Sequence, residues 1–134
     1  MNGKKIHVSR TPWLSEALLS TGFPYDRRQR MDDYLPIFKA FKLKVQGLRR
    51  TGSAAMDLCY VACGRFDGYW EMNLQAWDKA AGMLILEEAG GRLTTFSGKP
   101  LTVTDWQNAV SNNLIHKEML QTLRPFQSLS PKTP

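Results

Sequence analysis

The 134 residues are enough for one globular domain and too few for two. Apolar residues make up 43% and charged residues 22%, so the chain can bury a core, and no run of about 18 apolar residues offers a membrane span. The net charge of +6 suggests acidic partners, whether phosphorylated small molecules, nucleic acid or an anionic membrane surface, and no aromatic-basic motif of a known nucleic-acid module is present.

No apolar stretch follows the opening Met1-Asn2-Gly3-Lys4-Lys5, so a cleaved secretory signal is not expected. Residues 4–9 alternate Lys, Ile, His and Val, which predicts a short strand, and residues 16–21, closed by Gly22 and Pro24, predict a second. Met31, Tyr34, Leu35, Phe38 and Phe41 have helical spacing with one greasy face. Pro36 inside that stretch predicts a kink or a late start. Arg27, Arg28, Arg30 and the basic residues from Lys39 to Lys44 read as a solvated helix face. Residues 45–50 look extended.

Ser53 is a good N-cap for a helix over roughly residues 54–63, and Gly64 is a good stop. Cys59 and Cys63 share one face of that helix, where disulfide geometry is poor. They read as small buried residues of a reducing compartment, hence a cytoplasmic protein. Residues 67–72 predict a short aromatic strand, with Asp67-Gly68 as a turn. A third helix over about residues 77–89 ends at Gly90-Gly91. Its Ala80, Ala81, Met83, Leu84, Ile85 and Leu86 predict that it is largely buried. Residues 92–96 and 108–112 read as strands, and residues 114–123 as a closing helix. Residues 124–134 read as a loose tail, which leaves 1–123 as the folded domain. Strands alternating with helices predict a layered α/β sandwich, but the connections do not fix the strand order.

Several residues in the middle of the chain could carry chemistry. Gly52-Ser53-Ala54 opens a helix, where free N–H groups and the positive end of the dipole point outward. That turn could seat ring hydroxyls or an anion, or it could be an ordinary capped start. Asp78 precedes an apolar helix. Its carboxylate could cap that helix or ligate a hard cation such as Mg²⁺. Trp77 before it should pack under the turn. Glu71 closes the aromatic strand and could accept hydrogen bonds from a polyol, or stand solvated. Asp57 is expected to face outward or cap locally and receives no role. His7 and His116 read as surface or packing residues. The adjacent pairs Asp32-Asp33 and Glu87-Glu88 diverge on a helix and form no acid/base dyad.

Taken together, Gly52-Ser53-Ala54-Ala55, Asp67-Gly68-Tyr69-Trp70-Glu71, Trp77-Asp78-Lys79-Ala80-Ala81-Gly82 and Glu88-Ala89-Gly90-Gly91 resemble the carboxyl-terminal signature of the inositol monophosphatase family. Residues 2–9 also resemble its mid-chain region, so the resemblance covers roughly residues 2 to 123. It implies the carboxyl-terminal half of a five-layer αβαβα fold and Mg²⁺-dependent hydrolysis of a small-molecule phosphate ester, inositol 1-phosphate above all. It also implies that Asp78 is a magnesium ligand touching a substrate hydroxyl, that Gly52, Ser53 and Ala54 line the substrate pocket, and that Glu71 binds a ring hydroxyl. Homodimers are usual in the family, and the exposed faces of a half-fold would favour self-association.

Ser53 stands where many members carry threonine and keeps the hydroxyl. The family's Asp-Pro-Ile-Asp-Gly-Thr type motif, which holds most of the metal, is absent from these residues, so the chain alone is expected to be nearly inactive. The alternatives are a related sugar-phosphate, nucleotide or histidinol-phosphate phosphatase, or a non-catalytic anion-binding module.

Overall fold

The computed structural model describes residues 1–131. Five strands, β1 (Leu18–Thr21), β2 (Gly47–Arg49), β3 (Gly68–Met72), β4 (Arg92–Thr94) and β5 (Gln107–Ser111), form one sheet in the order β2-β1-β3-β5-β4. Strand β1 runs parallel to β2 and β3, while β5 is antiparallel to β3 and β4. The α-helices are α1 (Arg27–Lys42), α2 (Ala54–Ala62), α3 (Ala76–Glu88) and α4 (His116–Leu123). Helices α1 and α4 cover one face of the sheet, and α2 and α3 the other. The result is the layered α/β sandwich that the sequence predicts.

Strand alternation assigns the faces. On β3, Trp70 and Met72 enter the α1/α4 core, while Tyr69 enters the α2/α3 core. Glu71 is therefore directed to the α2/α3 side. Trp70 lies between Tyr34 and Phe41, with ring centroids 4.8 and 5.5 Å away. On α1, Arg30, Tyr34, Ile37 and Phe41 are buried at helical spacing.

Helix α1 starts at Arg27 and continues through Pro36, so the late start expected from that proline does not occur. Pro36 and Leu35 are on the exposed side, where water can serve the carbonyl that loses its helical donor. Arg30 also departs from the solvated reading. It is buried, bonds Asp26 at 2.7 Å, Asp33 at 3.1 Å and the Ser130 carbonyl at 2.7 Å, and lies 4.7 Å over the Trp106 ring.

Residues 4–9 form no strand. Ile6 and Val8 pack on the α2/α3 core, Val8 N–H donates to the Ala89 carbonyl at 3.2 Å, and Ser9 Oγ donates to Asp67 at 2.5 Å. These contacts tie the segment to the end of α3 and the start of β3 instead of to a sheet edge.

Helix α3 is not largely buried. Only Lys79, Gly82 and Leu86 are enclosed, while Trp77 is 79% and Leu84 61% exposed. Its apolar residues ring the axis, but only one stripe meets α2 and the sheet. Along that stripe a Cβ on Gly82 would come within 2.7 Å of the Leu58 side chain, so glycine permits the close approach of the two helices.

The segment read as a loose tail lies against the domain up to Ser130. Phe126 and Leu129 pack on the α1/α4 core, and the Gln107 amide donates to the carbonyls of Phe126, Gln127 and Leu129. Residues 132–134 of that expected tail lie outside the described residues. Among the described residues no helix is long and apolar enough to cross a membrane.

Candidate functional site

Because β1, β2 and β3 are parallel, their carboxyl ends share one edge of the sheet. The chain leaves β1 through Gly22 and Phe23, leaves β2 through Arg50 and Gly52, and leaves β3 through Leu74. Helices α2 and α3 begin at this edge, so two positive dipole ends converge there. The space between them is an open cavity of about 340 Å³. Gly52, Ser53, Ala54, Glu71 and Asp78 all line it, so the structure brings every sequence-predicted site residue into one place.

Gly52 has φ +92°, a left-handed conformation that turns the chain from β2 into α2. Ser53 then caps α2, accepting from Met56 N–H at 3.4 Å.

Glu71 is only 6% exposed and sits under the β1 exit. A Cβ on Gly22 would fall 2.1 Å from its Oε2, so only glycine leaves room for the carboxylate. The Tyr69 hydroxyl donates to Oε2. Burial raises the Glu71 carboxyl to about 7, with Asp57 and Asp78 adding to the rise and Tyr69 and Arg50 opposing it.

Asp78 occupies the first turn of α3, where its Oδ2 accepts from Gln75 N–H at 3.0 Å. The cap role and the cavity position therefore coexist in one side chain. The Tyr25 hydroxyl donates to Oδ1 and Oδ2 at 3.3 and 3.4 Å, and the negative charge of Asp78 raises the Tyr25 pKa. Trp77 does not pack under the turn as expected but lines the cavity with its ring exposed. Lys79 points inward, donating to the Asp105 carbonyl at 2.5 Å and Asn108 Oδ1 at 2.8 Å.

Asp57 corrects the sequence reading most clearly. It is 1% exposed, not outward-facing, and burial lifts its carboxyl to about 6. The Ser20 and Thr51 hydroxyls and the Arg50 guanidinium pull it back, yet neither carboxylate oxygen closes a hydrogen bond. The signal in the sequence was its place four residues after the cap, on the stripe shared with Leu58 and Val61.

The remaining groups lie elsewhere. His116 is buried between the Thr94 and Ser111 hydroxyls at 2.9 and 2.8 Å, and burial lowers its pKa to about 4, so it serves packing as a neutral ring. His7 is exposed, and Cys59 and Cys63 are free thiols that are only half-buried, not buried as expected, because the α2 face they share is incompletely covered.

These residues do not complete a Mg²⁺ site by themselves. Asp78 offers one carboxylate, and one of the two Glu71 oxygens is already taken by the Tyr69 hydroxyl. Among the described residues no group of three or more His, Cys, Asp or Glu side chains could hold a metal ion. Mg²⁺ needs a fuller oxygen set.

Residues 1–128 match the profile of the inositol monophosphatase family. The chain belongs to this family. It is 45% identical over 123 residues to an inositol-1-monophosphatase of Synechocystis sp., covering 92% of this chain and 43% of that protein. It is 39% identical over 127 residues to the Nus factor SuhB of Pseudomonas aeruginosa, covering 93% and 47%. The structure of inositol monophosphatase from Anabaena superposes with a TM-score of 0.88 at 44% identity, covering 92% of this chain and 49% of that one. The chain thus spans about half the length of these relatives.

Proposed function

We propose that this chain is the substrate-binding half of a Mg²⁺-dependent phosphate-monoester phosphatase, acting on inositol 1-phosphate when the remaining metal ligands are supplied. The observation that supports this reading is the meeting of Gly52, Ser53, Ala54, Glu71 and Asp78 in one cavity at two helix starts. In this reading the ionised Glu71 accepts a hydrogen bond from a ring hydroxyl. The Gly52–Ala54 turn holds the ring against the first turn of α2. Asp78 gives one carboxylate to the cation and orients a substrate hydroxyl. The half-exposed free thiols agree with a reducing compartment such as the cytoplasm.

The chain also self-associates in this reading, through the outer face of α2 and α3. Met56, Trp77, Leu84 and Ile85 are all exposed there. A strict monomer by light scattering at high concentration would remove that part.

The test is phosphate release from inositol 1-phosphate with Mg²⁺. The chain alone is expected to show almost none. Mixed with the front half of a family member it is expected to release phosphate, and Asp78→Asn is expected to remove that release. Release indifferent to Asp78→Asn contradicts the proposal.

A second reading is a non-catalytic binding module. It is favoured by the net charge of +6. Salt-sensitive RNA binding that ignores Asp78→Asn would support it.

A further inference from the structure

A second concavity, of about 330 Å³, opens between β4 and α4. The strand register separates it from the cavity at the starts of α2 and α3. Arg92 pairs with Ser111, and Ser111 pairs with Gly68, so Arg92 is level with the amino end of β3. Glu71 stands three residues further along β3 and two strands across, a backbone separation of about 14 Å. The faces differ as well. Leu93 packs on the α2/α3 core, so its neighbours Arg92 and Thr94 are directed to the α4 side, opposite to Glu71.

The cations Arg92, Lys117 and Arg124 line this concavity with the amides of Asn113 and Gln121, and no carboxylate lines it. All three cationic residues are exposed, and among the described residues none of their side chains makes a hydrogen bond or ion pair. Lys117, Gln121 and Arg124 follow one stripe of α4 at i, i+4 and i+7. Glu118, beside Lys117, is engaged elsewhere, its Oε1 accepting from Leu14 N–H at 3.3 Å. His116 is held between the Thr94 and Ser111 hydroxyls as a neutral ring and supplies no counter-charge.

Like charges gathered around one hollow repel each other. Lys117 also stands in the first turn of α4, where the helix dipole disfavours a cation. A merely solvated basic face would spread such charges apart. Here they converge with two amides, and the guanidinium forks of Arg92 and Arg124 keep all their donors free for a planar or tetrahedral oxyanion.

We infer that this concavity is a second anion site, which takes the diphosphate group of a free or esterified small molecule. A diphosphate spans two phosphate groups and reaches more than one of the cations, whereas a single phosphate meets fewer. Neither Asp78 nor the proposed reaction takes part in this site.

The experiment is calorimetric titration of the 134-residue chain with inorganic pyrophosphate in EDTA at fixed low ionic strength, with ADP and inorganic phosphate in parallel. Pyrophosphate or ADP is expected to bind at least about tenfold more tightly than inorganic phosphate. The tighter of the two tells whether the diphosphate is free or esterified. Arg92→Gln and Lys117→Gln should each weaken that binding about fivefold, and Arg124→Gln by a smaller factor. Lys39→Gln, which removes the same charge from α1, should change it by less than about twofold. Amide shifts by NMR are expected to centre on Asn113, Lys117 and Gln121. All the substituted residues are exposed, so circular dichroism is expected to show native folds for the variants. The inference is overturned by the absence of saturable binding, by inorganic phosphate binding as tightly, by an equal loss in Lys39→Gln, or by shifts centred on Gly52 and Ser53. A short single-stranded RNA that binds through Arg92 and Lys117 more tightly than either diphosphate would also overturn it. Failure of Mg²⁺-dependent turnover in the completed enzyme, with this binding intact, would instead sink the proposed function alone.

Discussion

Trp70 and Glu71 are adjacent on β3, yet they belong to different kinds of interior. Trp70 enters the α1/α4 layer, where it lies between Tyr34 and Phe41 in an apolar cluster that also holds Ile37, Met119 and Leu123. Glu71 enters the α2/α3 layer, where Asp57, Lys79 and Tyr69 are also buried and the cavity opens at the helix starts. The first layer maximises buried apolar area. The second accepts the desolvation of carboxylates, a cost that the first layer must offset. Its helices also keep apolar residues on their outer side. One sheet thus separates a face that holds the fold from a face that carries the chemistry.

The sharpest way to break that contrast is to exchange roles along β3. Trp70→Ala is expected to cost about 3–5 kcal/mol in denaturant unfolding, enough to leave a marginal domain mostly unfolded. Glu71→Gln should keep the fold and weaken ester binding instead. Equal stability losses at the two positions would erase the distinction.

Gly22→Ala tests whether the place of the Glu71 carboxylate matters. The new Cβ must displace that carboxylate, so a loss of about 1–3 kcal/mol is expected, together with weakened binding of inositol 1-phosphate by calorimetry.

The buried acids set a pH dependence. Asp57 is raised from 3.8 to about 6 in the folded chain. Its favourable contribution is complete below the unfolded value and is lost as pH rises through about 6. Glu71 behaves alike, with the loss running through about 7. His116, lowered from 6.5 to about 4, acts in the opposite sense and loses its contribution as pH falls between those values. Asp57→Asn should therefore raise stability by about 1–2 kcal/mol at alkaline pH, and by almost nothing near the unfolded value, in paired urea titrations. A gain that persists in acid would show that charge burial is not its cause.

The smallest stability effect is expected on the outer side of α3. Leu84→Lys should change unfolding by less than about 0.5 kcal/mol while reducing self-association by sedimentation.

The sequence made the site more legible than its surroundings. Gly52 at a turn, Ser53 at a helix cap and Asp78 at a helix start lie where local signals place them, but those signals fit ordinary caps equally well, and it was the family resemblance that singled them out together with Glu71. Contacts between distant segments left no such trace. Tyr25 meets Asp78 across 53 residues, and Arg30 meets the Ser130 carbonyl across 100. Composition misled at α3, because an all-round apolar helix reads as buried while its partner surface is not fixed by its own residues. Alternation misled at residues 4–9, where the pattern fits a strand but a side-chain bond to Asp67 holds the segment off the sheet. Asp57 was missed because a carboxylate in a first helical turn ordinarily serves the dipole from the surface.

The central claim is that one cavity at the starts of α2 and α3 receives a phosphorylated polyol. Amide shift mapping by NMR, with inositol 1-phosphate titrated into the native chain and into Glu71→Gln, tests it most directly. The account predicts shifts concentrated at Gly52, Ser53, Ala54, Glu71 and Asp78 that weaken in the variant. Shifts centred elsewhere, or unchanged by Glu71→Gln, would contradict it.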